Sequence, residues 1–300
     1  MPSIQSLLLH FYLRRNMKEK AIHLMPPQQL RDGIEKLAPN KPPKGVSLEI
    51  VPGGPVRGEW HRADTAVSGR TVLYLHGGGY YFGSAKTFRG FTFGLAKQAR
   101  CNVFSLDYRL APEAPYPAAV DDALTCYRWL LESGIDPATL ILGGDSSGGG
   151  LSLALLLKAK EKSLPLPAGL FLFSPWTDLA CTGASLDENE KTDVMFKRHY
   201  ITEGAKTYYG DHDPKTAFIS PLYGDLTGLP PTLSFVSTSE ILRDDGLRLH
   251  EKLVDDGVLA ELITEDGLAH EWPTFYGRIP EARKSMAQLV AFIETQLARV

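Results

Sequence analysis

Three cysteines in 300 residues, Cys101, Cys126 and Cys181, are too few and too widely spaced for a disulfide framework, and no CxxC pair suggests a zinc site. They read as reduced, structural thiols. Charge of one sign is equally scarce: 32 Lys and Arg against 35 Asp and Glu leave a net charge of −3. No basic or acidic block is present to recruit nucleic acid or an anionic membrane. Long apolar runs are missing as well. The run Leu7–Leu13 is too short to span a bilayer. Its arginines follow it and no small-residue cleavage site comes after, so it does not read as a secretory signal. A cytoplasmic protein without stable membrane insertion is expected. With Ile4 and the trailing "RRNMKEK", the run reads as an amphipathic helix, lying against a membrane or covering a binding site. There is no internal repeat and no low-complexity tract. The glycine-rich runs "HGGGYYFG" (76–83) and "GGDSSGGG" (143–150) have neither the spacing of a dinucleotide fingerprint nor the lysine of a P-loop. No nucleotide is expected, and with no metal-ligand spacing, no metal or other cofactor either.

What is present is the composition of a globular enzyme, 43% hydrophobic and 22% charged, at a length that suits one large α/β domain with an added subdomain. Two equal domains are the alternative. Apolar runs at 71–78, 101–108, 138–145, 168–176 and 231–240 read as strands, and longer helical patterns lie between and after them, which predicts a mostly parallel sheet. Val120, Ala123, Leu124, Tyr127, Leu130 and Leu131 recur at three and four residues and mark one buried helical face, with Gly134 as its stop. The stretch "GGLSLALLLKAKEK" is apolar almost all round, as suits a central helix. Residues 1–40 and 180–218 break the alternation. The second is polar, irregular and without a core strand, and an insertion of that length is expected to be a lid or binding element. The two are expected to pack together as a cap, the insertion being the nearest partner for the apolar face of the N-terminal segment.

The second glycine run contains GxSxG as Gly144-Asp145-Ser146-Ser147-Gly148, between an apolar strand and an apolar helix. A serine at such a sharp turn has an unfavourable backbone, and small residues two before and two after let the turn close. Ser146 is then pushed out above the sheet edge. The pattern also arises by chance, and glycines at a helix start often serve only close packing. "HGGGY" (His76–Tyr80) follows another strand, and successive N–H groups at such a turn can converge to stabilise an oxyanion. Of eight histidines, His270 alone follows the last strand-like run, "LAELITE", in a glycine-containing loop, and it completes the serine–acid–histidine order of this strand–turn–helix arrangement. His10, His23, His61, His76, His199, His212 and His250 lie elsewhere.

Together "HGGGY", "DYRLAPEAPYPAAVDDA" (107–123), "GDSSGGG", "EILRDDG" (240–246) and "GLAHEW" (267–272), in that order, resemble the hormone-sensitive-lipase-like esterases of the α/β-hydrolase fold, bacterial family IV, from about residue 70 onward. The resemblance implies an eight-stranded, mostly parallel sheet with helices on both faces. It further implies a catalytic domain of residues 41–179 and 219–300 and a helical cap of residues 1–40 and 180–218. Carried over by residue, it implies Ser146 as nucleophile, His270 as general base, the N–H groups of Gly78, Gly79 and Ser147 as oxyanion hole, and His76 as a structural residue. For the acid the sequence departs from the aspartate usual in the family, with Glu240 at the matching position and Asp244 four residues later. Glu240 is the assignment, because it ends the strand-like run "PTLSFVSTS", whereas Asp244 and Asp245 fall where a helix starts.

Asp107, Arg109 and Glu113 read as a structural network. Tyr80, Tyr81, Phe82 and Trp176 are expected to wall the substrate pocket, although core packing explains each of them equally well. The expected function is hydrolysis of short-chain acyl esters or lactones through an acyl-enzyme. The alternatives are an amidase or acyltransferase with the same triad, or a non-catalytic binding protein on this scaffold. The expected partner is a small-molecule ester, with a homodimer left open.

Overall fold

The computed structural model describes residues 1–20 and 22–298. Ala21, in the expected N-terminal cap segment, and Arg299 and Val300, at the end of the expected catalytic segment, lie outside the described residues. Eight strands form one sheet: β1 (Val46–Val51), β2 (Gly58–Ala63), β3 (Thr71–Leu75), β4 (Asn102–Leu106), β5 (Leu140–Asp145), β6 (Gly169–Phe173), β7 (Thr232–Ser237) and β8 (Ala260–Glu265). Their spatial order is β1-β2-β4-β3-β5-β6-β7-β8. β2 runs against both of its neighbours, and every other pairing is parallel.

Every residue of β3, β5, β6 and β7 is buried, which is why these strands appear in the sequence as mainly apolar runs and not as alternating ones, with Thr232, Ser234 and Ser237 as the small polar members of β7. Helices cover both faces. α4 (Ala118–Glu132), α5 (Ser146–Glu161) and α8 (Arg243–Asp255) share one core through Leu124, Leu155 and Leu249, while α3 (Arg89–Gln98) and α9 (Pro280–Leu297) share the other through Phe91 and Leu289. On α4 the expected face is buried except for Leu131, which is half-buried, and Cys126 joins it. β2 carries charge inward. Glu59 accepts from Arg89 Nη2 at 2.6 Å and lies 3.1 Å from His61 Nε2, all three side chains buried, so the carboxylate has the partners a buried charge requires.

Register decides where the turns meet. β3 lies between β4 and β5, so successive connections leave it to opposite sides, and this is the point of an open α/β sheet where a crevice forms beyond the strand ends. Leu75 pairs with Gly144 across β3 and β5, and Asp145 pairs with Phe173 across β5 and β6. The turns that begin at His76, Ser146 and Ser174 therefore open side by side.

The two segments outside the alternation touch each other beside this crevice. The first holds α1 (Ile4–Leu13), a π-helical turn (Arg14–Lys18) and α2 (Pro27–Glu35); the second holds α6 (Ser185–Glu188) and α7 (Arg198–Tyr209). Lys18 Nζ is buried and donates to the carbonyls of Glu190 and, at 2.6 Å, of Asp193, while the Tyr200 hydroxyl donates to Lys18 O at 2.6 Å. Part of the apolar run of α1 joins this contact, as expected: Leu13 is buried in the same cluster as Met195 and Tyr200 of the insertion, and Leu9 is half-buried against it. Ile4, Leu7, Leu8, Phe11 and Tyr12 point outward, and the helix is held from its other side, where Ser3 and Ser6 donate to Glu281 on α9. Among the described residues no helix is long and apolar enough to cross a membrane.

Candidate active site

β5 ends at Asp145 and α5 begins at Ser146, with no residue between them to ease the turn. Ser146 takes a left-handed backbone, φ 50°, a conformation that costs a non-glycine residue about 1–3 kcal/mol and persists only where packing enforces it. That packing is visible at Gly148, where a Cβ would lie 2.0 Å from the carbonyl oxygen of Leu75. Any larger residue there would push α5 off β3 and open the turn.

Beside it, Gly78 and Gly79 adopt positive φ, 113° and 60°. Among the described residues their N–H groups have no acceptor, and the N–H of Ser147 lies in the first turn of α5, where helix geometry supplies none. Those three donors can serve an oxygen bound near Ser146. His76 supports the turn from behind: its Nδ1 lies 2.7 Å from Gly77 O, and its ring stacks on Tyr108 at 4.3 Å. Burial lowers its pKa to about 4, so it is neutral. Gly77 N donates to Asp145 Oδ1 at 3.0 Å, which ties the glycine turn to the residue preceding Ser146.

The structure brings Glu240 and His270 together. His270 Nδ1 is bonded to Glu240 Oε2, and Glu240 Oε1 accepts from Ser237 N at 2.8 Å, with both side chains buried. His270 Nε2 has no partner among the described residues. Burial pulls the imidazole pKa down, but the charge and hydrogen bond of Glu240 outweigh it and hold the pKa above its ordinary 6.5. The other two acids of "EILRDDG" are engaged elsewhere. Asp244 accepts from Ser185 N at 2.9 Å and from Arg243 Nε at 2.8 Å; Asp245 accepts from the N–H groups of Thr177 and Asp178, both at 2.8 Å. Asp107 accepts from Ala85 N at 2.7 Å, Arg109 pairs with Asp122 at 2.7 Å, and Glu113 pairs with Arg31 at 2.8 Å; the three do not form one network.

A narrow pocket opens at Ser146, and Gly78, Gly79, Tyr81, Phe82 and Trp176 line it. Tyr80 does not. Its backbone is left-handed, φ 65°, and its buried ring stacks on Tyr208 at 3.7 Å in the core behind the pocket. The rest of the wall was not named from sequence: Met17 from the π-helical turn, Phe88 before α3, Met195 and Phe196 from the insertion, Tyr200, Ile201 and Gly204 from α7, Leu242 before α8, and Glu271 beside His270. The signal was present for α7, where Tyr200, Ile201, Gly204, Ala205 and Tyr208 keep helical spacing and are buried. Among the described residues no group of three or more His, Cys, Asp or Glu side chains is gathered as for a metal ion.

Comparison with known proteins agrees with this architecture. A family model described as the α/β hydrolase fold matches residues 72–274. The chain is 38% identical over 247 residues to an acetyl-hydrolase of Streptomyces hygroscopicus, covering 82% of each chain. It is 36% identical over 262 residues to an esterase of Acinetobacter venetianus, covering 87% of this chain and 86% of that one. Among solved structures, an esterase from the bacterial hormone-sensitive lipase family superposes with a TM-score of 0.93 at 36% identity over 99% of both chains.

Proposed function

This chain belongs to the hormone-sensitive-lipase-like esterases of the α/β-hydrolase fold and is a serine carboxylic-ester hydrolase; from that premise we propose that it cleaves short-chain acyl esters or lactones through an acyl-enzyme on Ser146. The observation that carries the reading is the division of labour on one imidazole. Glu240 holds Nδ1 and leaves Nε2 as the ring nitrogen without a hydrogen-bond partner among the described residues, the state in which it can take the hydroxyl proton of Ser146. As Ser146 Oγ bonds to the acyl carbon, the carbonyl oxygen gains charge, and the N–H groups of Gly78, Gly79 and Ser147 receive it. Collapse of the tetrahedral adduct breaks the ester C–O bond, and His270 returns the proton to the departing alcohol. Water then attacks the acyl-enzyme, His270 takes its proton, and the adduct releases the carboxylic acid and restores Ser146.

Short acyl groups fit a wall of aromatic and sulfur-bearing side chains closed by Met17 and Phe196. The name acetyl-hydrolase carried by one relative points the same way. Residues 1–40 and 180–218 serve as the cap, since each supplies part of that wall. The test is a released-alcohol assay across esters of increasing acyl length, a lactone and matched amides, with Ser146→Ala as control. Turnover falling with chain length, and lost in a still-folded Ser146→Ala, supports the reading; turnover that survives in the alanine variant overturns it.

A further inference from the structure

The residues on the sequence-adjacent side of each proposed catalytic group, Asp145 before Ser146 and Glu271 after His270, meet beneath the site. Asp145 Oδ1 accepts from Gly77 N at 3.0 Å and from the Tyr74 hydroxyl, but its Oδ2 is buried without a donor among the described residues. The fit around it is tight, for a Cβ on Gly77 would lie 2.0 Å from Oδ2. The Glu271 carboxyl lies close enough to that of Asp145 for the two to act directly on each other. Glu271 is fixed by its own backbone, left-handed at φ 50°, with its N–H donating at 2.9 Å to the hydroxyl of Ser174, itself left-handed at φ 45°.

Two carboxylates offer four acceptors and no donor, so a hydrogen bond between them requires a proton on one. No lysine or arginine among the described residues pairs with either. The titratable groups that act on the pair are Tyr74 on β3, Tyr108 after β4, Glu240 after β7 and His270, with Asp193 of the insertion acting on His270. Asp145 already receives two donors that stabilise its anion. Among the described residues Glu271 receives none, and burial followed by the charge of Asp145 pushes its pKa well above its ordinary value.

We propose that Glu271 is a positioning residue which, as a neutral acid, donates its O–H to Asp145 Oδ2 and so clamps the His270 loop to the glycine turn, with Ser146 between them. The proton also silences a competitor. Glu271 Oε2 lies 4.0 Å from His270 Nε2, and as an anion it would draw that nitrogen away from Ser146 while repelling Asp145. Loss of the proton in alkali therefore opens the clamp and ends turnover before the protein unfolds. The proposal rests on the roles given above to Ser146 and His270, but the clamp itself has a readout independent of activity.

The experiment compares the whole enzyme with Glu271→Gln and Glu271→Leu. Glutamine can donate to Asp145 and has no proton to lose. Whatever its kcat at neutral pH, it is expected to leave the acid limb in place and to move the alkaline limb up by about one pH unit or more. Leucine breaks the clamp and is expected to lower kcat roughly 10²-fold, as misplacement of reacting groups does, with little change in KM. Infrared difference spectra at neutral pH should show a protonated-carboxyl carbonyl band in the wild type that disappears in Glu271→Gln, whether or not the leucine variant folds. An unmoved alkaline limb in a folded glutamine variant, or a wild type without that band, overturns the clamp. If the band is present but Ser146→Ala still turns over substrate, the clamp stands and the catalytic roles fail.

Discussion

Replacing Glu240 by glutamine keeps the shape and length of the side chain and removes its charge. In the structure that carboxylate does two things: Oε1 takes the Ser237 N–H at 2.8 Å, and Oε2 takes His270 Nδ1. The amide can keep the first contact, so folding should survive. At the second it loses the anion that stabilises imidazolium and can present an N–H where the ring needs an acceptor, which favours the wrong tautomer. Opposite charges with centres about 4 Å apart attract by roughly 4 kcal/mol at an effective dielectric of about 20. At about 1.36 kcal/mol per decade that is roughly 10³-fold, and the tautomer error adds to it, so Glu240→Gln is expected to lower kcat by about 10³–10⁴. Asp244→Asn is the control. It disturbs contacts with Arg243 and Ser185, remote from the imidazole, and should leave kcat within about tenfold, since a partly exposed pair contributes only about 0–1 kcal/mol. The assay is steady-state hydrolysis of an acetyl and a butyryl ester, with a thermal melt on each variant. A crippled Asp244→Asn beside a folded and active Glu240→Gln would refute the assignment.

Two further outcomes follow from the same contacts. The proposed mechanism requires neutral His270, and its pKa is held above 6.5 chiefly by Glu240 acting against burial; kcat/KM should therefore fall as pH drops through a value above 6.5, and in Glu240→Gln the residual activity should persist to lower pH. A pH–rate profile of both proteins checks the sign. Deleting residues 1–20 removes Met17 from the pocket wall and the Lys18 ammonium from the carbonyls of Glu190 and Asp193. Longer acyl chains should gain relative to acetyl, and Tm should fall by about 2–4 °C for each kcal/mol lost; unchanged selectivity and melting would mean that the segment is only a tail.

The parallel centre of the sheet was legible because burial on both faces leaves no charged residue within β3 or β6, and none in β5 before its last position, to interrupt the pattern. β1 and β2 were not read as strands. "GEWHRA" puts Glu59 and His61 inside, and only the fold reveals that Arg89, on the helix that follows β3, makes this tolerable. "RHYITEGAKTYY" looked irregular because its buried face is spread among polar residues, yet it forms α7 and walls the pocket. At the site, the two glycine motifs could be read singly, but their adjacency depends on the pairing of Leu75 with Gly144, a register set by the whole sheet. Tyr80 and Tyr81 were indistinguishable as letters; the left-handed φ at Tyr80 sends its ring into the core and leaves Tyr81 on the cavity. Glu271 was passed over because nothing near it in sequence shows that Asp145, 126 positions earlier, is its partner.

The central claim is that one strained serine carries the acyl group. An organophosphate ester incubated with the wild-type enzyme, followed by intact-mass and peptide mapping, tests it directly. The expected result is a single covalent adduct on Ser146 with activity lost in proportion to labelling, and no adduct on Ser146→Ala or on unfolded enzyme. Stoichiometric labelling at any other residue, or full activity in enzyme fully labelled at Ser146, would contradict it.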